Sequence, residues 1–158
     1  MIIVIYVVFS LICIHILIGL SSKLPLVVNF LLFMAIDVAL TNKLIIIGFN
    51  YKLFQINTRS IPHFVSLILH NDFTITFVLL TFANVFLTTK KNGTRIAISV
   101  YGFAAQLFLG MTLRWNDVLT DTGWTTLMES TMIIFIMAYT LILGKVFHYM
   151  AAKERWIR

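Results

Sequence analysis

The stretch "FVSLILHNDFTITFVLL", residues 64–80, places three consecutive polar residues, His70, Asn71 and Asp72, between two apolar runs. As one helix, the region 61–87 would contain 27 residues. It would be about 40 Å long, whereas the hydrocarbon core of a bilayer is about 30 Å thick. A helix of that length would have to tilt. How the chain passes these three residues therefore decides how many helices it has and where they end.

Two interpretations of this region compete. Asn and Asp are favoured N-cap residues, so Asn71 or Asp72 could begin a helix and satisfy its free backbone N–H groups. We therefore predict a short interfacial or re-entrant helix around residues 61–70 and a separate membrane span at about 72–89. The alternative is one continuous helix, which on this interpretation would remove both the cap and any polar pocket built beside it.

The composition indicates a membrane protein. Of the 158 residues, 60% are hydrophobic and 11% are charged, and the mean hydropathy is +0.98. Soluble domains carry about 25% charged residues, so the surplus apolar surface must face lipid. Cys13 is the only cysteine, which excludes an internal disulfide and a multi-cysteine zinc site.

The apolar runs predict an all-α integral membrane protein, a bundle of five transmembrane helices plus the short helix described above. Each run is close to the length of about 20 residues that crosses a bilayer. The first run lacks the basic region and cleavage site of a signal peptide, so we expect it to be retained. The predicted spans of this single polytopic domain are 1–20, 25–47, 72–89, 96–113 and 125–150.

The basic residues orient these spans, because Lys and Arg concentrate in cytoplasmic loops. Five spans place two basic clusters, "KKNGTR" and "AAKERWIR", on the same side. We therefore predict a plasma-membrane protein with its N-terminus outside and its C-terminus in the cytoplasm. The clusters are short and flank the membrane, so we expect them to contact anionic lipid headgroups and not nucleic acid.

Four motifs occur in a recognisable order: "FLLFMAIDVAL", "NYKLFQI", "LHNDFT" and "DTGWTTLME". In this order the sequence resembles a family of small, functionally uncharacterised multi-pass membrane proteins of spore-forming bacilli and clostridia. The resemblance covers most of residues 24–136. It implies a bacterial plasma membrane and a compact helical domain, and it supplies no activity to transfer.

Asp37 is the first candidate for chemistry, because it lies 12 residues after Pro25, about 18 Å along a helix and near the bilayer centre. An ionised carboxylate there costs at least about 2.5–3.5 kcal/mol. Asp37 must therefore be protonated, paired or hydrated. It could bind a proton or cation in a permeation pathway, or it could fix helix packing, as we expect of Asn84 and Gln106.

A second group of polar residues lies near the outer ends of the predicted spans. In one interpretation these residues form an outward-facing pocket, in which Glu129, about one turn into the last span and too deep for easy hydration, pairs with Arg114 or Lys43. The alternative is a solvated rim of unrelated side chains. Beside Asp37 and Glu129, the candidate outer-face pocket consists of Lys43, His70, Asn71, Asp72, Arg114, Asp117 and Asp121.

The sequence gives no positive sign of an enzyme, a metal or another cofactor. It contains no GxSxG, HExxH or phosphate-binding glycine loop. We therefore predict a non-enzymatic structural, sensing or partner-binding component of the plasma membrane, with another membrane protein or a second copy of the chain as candidate partner. The alternative is a small transporter or proton-coupled channel that uses Asp37 and the outer-face pocket.

Overall fold

The computed structural model describes residues 2–21, 23–57 and 60–153. Within these residues the protein has five helices and one two-stranded antiparallel ladder. The elements are α1 (Ile2–Ile18), α2 (Leu26–Asn50), β1 (Phe54–Ile56), α3 (Ile61–Thr88), α4 (Asn92–Trp115), β2 (Leu119–Asp121) and α5 (Thr126–Lys153).

Four of these helices, α2 to α5, are long and apolar enough to cross a membrane, which marks a multi-pass membrane protein. They contain 25, 28, 24 and 28 residues. Helix α1 is also apolar but has only 17 residues. At about 26 Å it is slightly shorter than a typical hydrocarbon core.

The predicted break at His70, Asn71 and Asp72 is wrong, because α3 continues through these residues. Neither the separate short helix at 61–70 nor the N-cap by Asn71 or Asp72 is present. Instead, Leu69–Ile75 forms a π-helical turn, in which the backbone bonds reach one residue farther than in an α-helix. Ending a helix inside a bilayer would leave several N–H and C=O groups without partners, and a widened turn avoids most of that cost.

Hydroxyl groups complete the hydrogen bonding of this π-turn. Thr74 Oγ1 donates to the Leu69 carbonyl at 3.1 Å, and Thr76 Oγ1 donates to the Asn71 carbonyl at 3.2 Å. The Ser10 hydroxyl of α1 lies 2.8 Å from the Thr74 hydroxyl. The π-turn therefore also provides a hydrogen bond that joins α1 to α3.

Helix α3 is the central helix of the bundle. It packs against each of the other four helices, and 61% of its most apolar window is buried, compared with 22–28% in α2, α4 and α5. Small residues allow close approach at its C-terminal half. A Cβ at Gly144 of α5 would lie 2.8 Å from Leu87 Cδ1, so a larger residue there would force the Leu87 side chain to move.

A polar clamp joins the α1–α2 connection to α3. Asn84 Oδ1 accepts the backbone N–H of Leu24 at 2.7 Å, and Asn84 Nδ2 donates to Asn29 Oδ1 at 2.7 Å. Asn29 Nδ2 in turn donates to the Leu24 carbonyl at 2.9 Å. The Asn84 side chain is fully buried, so the interhelical role expected for it is confirmed.

The two strands were not expected from the sequence. They pair Phe54 with Asp121, Gln55 with Thr120 and Ile56 with Leu119. The ladder ties the α2–α3 connection to the α4–α5 connection, and the Leu53 carbonyl accepts the N–H groups of Thr122, Gly123 and Trp124 at 2.9–3.0 Å. These connections form a lid, residues 51–57 and 117–125, across one end of the bundle.

We predict that Asn84→Leu destabilises the protein by about 1–3 kcal/mol, because the buried Leu24 N–H and the Asn29 amide lose their partners. The measurement is reversible unfolding in mixed detergent micelles. The matched control is Asn42→Leu, since Asn42 is exposed and, among the described residues, its amide bonds only to the Val38 carbonyl of its own helix. Equal losses in the two variants would contradict the clamp.

Candidate functional site: a covered cluster of ion pairs

Glu129, in the first turn of α5, is the centre of the candidate site. Its Oε1 lies 2.8 Å from Lys43 Nζ of α2, and its Oε2 lies 3.3 Å from Arg114 Nη2 of α4. The indole N–H of Trp124 also donates to Oε2, at 2.5 Å. The Glu129 side chain is 13% exposed, so it is held by two cations and one neutral donor with little contact with water.

Arg114 extends the cluster to the lid. Its Nε lies 2.7 Å from Asp121 Oδ2 on β2, and its Nη1 donates to the Gly110 carbonyl at 3.1 Å. Two cations, Lys43 and Arg114, therefore face two carboxylates, Glu129 and Asp121. This balance matters because an unpaired charge in a low-dielectric interior is very costly.

A cavity of about 50 Å³ lies beside the ion pairs. At about 10–15 Å³ per water centre it has room for about three to five water molecules. Phe54 and Leu119 belong to the lid, and Phe54 packs edge-on against Trp124 at 6.3 Å. The lining residues are Leu40, Lys43, Leu44, Phe54, Leu67, His70, Asn71, Ile75, Gln106, Gly110, Leu113, Arg114, Leu119, Glu129, Ile133 and Ile136.

The π-turn of α3 supplies two polar side chains to this cavity. His70 is 5% exposed and Asn71 is 6% exposed. The His70 ring packs edge-on against Tyr6 at 5.8 Å, and its Nδ1 has no hydrogen-bond partner among the residues that the structure describes. The expectation that a continuous helix would remove the pocket is therefore wrong, because the helix is continuous and both side chains line the cavity.

The remaining candidates lie at different distances from the ion pairs. Asp72 is half-buried and accepts a hydrogen bond from Asn71 Nδ2 at 3.0 Å, but it does not line the cavity. Asp117 is exposed in the α4–α5 connection, where its φ of 54° is left-handed. The structure thus joins Lys43, Arg114, Asp121 and Glu129 directly, adds His70 and Asn71 along the cavity wall, and leaves Asp117 outside.

Asp37 belongs to a separate place in the bundle. It is half-buried on α2, and its Oδ1 is buried without a hydrogen-bond partner in the described part of the chain. The Asp72 carboxyl group lies within electrostatic range of it. Phe33 lies about one turn before Asp37 on α2, and Phe77 lies about one turn after Asp72 on α3. The centroids of these two rings are 5.9 Å apart. Asp37 therefore lies at the α2–α3 contact.

Several residues of the site were not identified from the sequence. The indole N–H of Trp124 donates to Glu129, a contact that nothing in the sequence indicated. Phe54 and Leu119 form the lid through two strands of three residues each, which are too short to show a periodic pattern. Gln106 was expected to bond between helices, but among the described residues it donates only to the Gly102 carbonyl of its own helix, and it lines the cavity.

No family model, curated protein or solved structure matches this chain. Within residues 2–21, 23–57 and 60–153, no group of three His, Cys, Asp or Glu side chains is placed to hold a metal ion. The geometry of the site is that of a balanced ion-pair network beside a small cavity.

We predict that Glu129→Gln destabilises the protein by about 1.5–3 kcal/mol, because Lys43 loses its carboxylate partner and Arg114 keeps only Asp121. Asp121→Asn is the matched control, since it removes the other carboxylate of the network. Its side chain is 34% exposed, so we expect a loss of at most about 1 kcal/mol. Unfolding in detergent micelles gives both values, and equal losses would show that burial does not set the strength of these pairs.

Proposed function

We propose that this chain is a non-enzymatic multi-pass protein of the plasma membrane that acts as a structural or partner-binding component. The observation that carries the proposal is the engagement of Glu129 by Lys43, Arg114 and Trp124 at once. A carboxylate held by three donors is well placed to fix α2, α4 and α5 together. It is poorly placed to act as an acid, a base or a mobile ligand.

The lid supports the partner-binding part of this proposal. In the described part of the chain, β1 and β2 pair only with each other, while β1 also contacts the end of α2 and β2 contacts α4. Addition of a strand to the edge of such a ladder is a common way for proteins to bind each other. Gln55 and Thr120, which face each other in the ladder, are both exposed. The partner in this proposal is another membrane protein or a second copy of the chain.

We further propose that α1 is a fifth span, with the N-terminus outside and the C-terminus in the cytoplasm. Its length of 17 residues is the lower limit of about 17 for a membrane-spanning helix. Lys90, Lys91 and Arg95 then lie on the cytoplasmic side, as the positive-inside rule requires. On the opposite side, Tyr51 and Trp115 are 70% and 68% exposed, which suits aromatic residues at a membrane surface.

This orientation predicts which introduced cysteines react on intact cells. In a Cys13→Ser background, we expect a membrane-impermeant maleimide to label Thr120→Cys on intact cells and Gly93→Cys only after permeabilisation. Thr120 is exposed, and a Cβ at Gly93 meets no atom within 4 Å, so both thiols are accessible. An epitope tag on the N-terminus should be reached from outside. The reverse labelling pattern would contradict the orientation, and a tag found inside would remove α1 as a span.

Asp37 favours a second candidate function, a proton- or cation-coupled transporter. Its Oδ1 is buried without a hydrogen-bond partner among the residues that the structure describes, and Asp72 lies within electrostatic range. Asp72 is hydrogen-bonded to Asn71, which lines the outer cavity together with His70. Carboxyl and imidazole groups in such a series could pass a proton between the middle of the membrane and the cavity.

Flux measurements in liposomes separate the two functions. Under the leading proposal we expect the purified protein to give no proton or cation flux above that of empty liposomes. Under the second, flux is present and falls at least about tenfold in Asp37→Asn, because an amide cannot carry a proton. Asp117→Asn is the control, since it removes an exposed carboxylate. Flux that depends on Asp37 and not on Asp117 would overturn the leading proposal.

A further inference from the structure

A second and larger cavity lies at the end of the bundle opposite the lid. Its volume is about 610 Å³, within the range of about 300–1,000 Å³ for small-molecule sites. It opens at the start of α4 and the end of α5, whereas the ion pairs lie at the end of α4 and the start of α5. The lining residues are Lys23, Leu24, Pro25, Phe86, Leu87, Thr88, Arg95, Lys145, His148, Tyr149 and Ala152.

Basic side chains from three separate segments converge on this cavity. Lys23 comes from the α1–α2 connection, Arg95 from the first turn of α4, and Lys145 and His148 from the last part of α5. All three salt bridges formed by the described residues lie at the lid end. The charge of this cavity is therefore complementary to an anion.

Arg95 is held in place for such a ligand. Its Nε donates to the Thr89 carbonyl at 3.1 Å, and its guanidinium carbon lies 5.4 Å from the centre of the Phe86 ring. These contacts fix the plane of the guanidinium group. Its two terminal nitrogens form no hydrogen bond with the described residues, and a guanidinium suits bidentate binding of phosphate.

The remaining wall is apolar and firmly positioned. Leu24, Phe86 and Leu87 line it, and the Asn84 clamp holds Leu24 through its backbone N–H. Helix α2 begins directly after Pro25, so the positive end of its dipole is at the cavity edge, which adds to the attraction for an anion. The cavity thus combines a cationic rim with an apolar wall that continues toward the lipid-facing surface.

We propose that this cavity binds an anionic phospholipid, with its phosphate between Lys23, Arg95 and Lys145 and an acyl chain against Phe86 and Leu87. A free anion would use the cationic rim but not the apolar wall, and a zwitterionic lipid would carry a choline beside three cations. The inference relies on the proposed function only for the orientation that puts this end at the cytoplasmic leaflet, where anionic lipids are concentrated.

The test measures lipid binding to the whole chain in detergent, where orientation has no influence. The probes are dioctanoyl phosphatidylglycerol, dioctanoyl phosphatidylcholine and inorganic phosphate, and the readout is the concentration-dependent rise of the thermal unfolding midpoint. We expect phosphatidylglycerol to bind at least about tenfold more tightly than phosphatidylcholine, because each cation near an anionic headgroup contributes about fivefold in affinity. We expect inorganic phosphate to give no comparable rise.

Two variants and one matched control identify the cavity. Lys23→Gln/Lys145→Gln removes two exposed cations of the rim and should weaken phosphatidylglycerol binding about 10- to 30-fold. The matched control is Lys90→Gln/Lys91→Gln, which removes the same total charge from the same end of the bundle. Both residues are exposed but do not line this cavity, so the control should change phosphatidylglycerol binding less than about threefold. Ala152→Phe narrows the cavity without changing charge and should also weaken binding.

Three results would overturn the proposal. Equal losses in the two lysine pairs would mean attraction by diffuse surface charge. Equal binding of phosphatidylcholine would mean that the apolar wall alone retains lipid. A rise of the unfolding midpoint with inorganic phosphate equal to that with phosphatidylglycerol would assign the rim to a free anion. The unfolding midpoint of each variant without lipid shows that its fold is intact. If the lipid-binding proposal fails, the flux and labelling results that test the proposed function are unaffected.

Discussion

The hydrocarbon core offers no hydrogen-bond partner to a peptide group, and this constraint explains the path of α3. The chain passes His70, Asn71 and Asp72 without ending the helix. The π-turn that results needs hydroxyl groups, which come from Thr74 and Thr76 of the same helix and from Ser10 of α1. The position of α1 and the polar wall of the cavity beside the ion pairs both follow from this one local adjustment.

The lid end of the bundle is built around a similar need to satisfy polar groups. A buried carboxylate such as Glu129 is tolerable only when its charge is balanced and its lone pairs are used. Lys43, Arg114 and Trp124 meet both requirements from three different segments, and Asp121 extends the network to the lid. The network therefore links the membrane helices to the short ladder above them.

The two ends of the molecule differ in how their charges are used. At the lid end, cations and carboxylates are paired around a cavity with room for only a few water molecules. At the other end, Lys23, Arg95 and Lys145 surround a far larger opening with an apolar wall. The first arrangement suits a fixed structural connection, whereas the second suits an amphiphilic anion. This difference is the physical basis of the two proposals.

The amino-acid sequence by itself determined the helical membrane class, because apolar runs of about 20 residues can satisfy their backbone in lipid only as helices. It also indicated the partners of Glu129, since a deep carboxylate requires a cation. It could not decide whether α3 breaks at His70, because an N-cap preference of about 1 kcal/mol competes with the larger cost of free backbone groups in lipid. Only the tertiary structure showed the π-turn, the Trp124 donor and the lid, since each depends on contacts between residues distant in the chain.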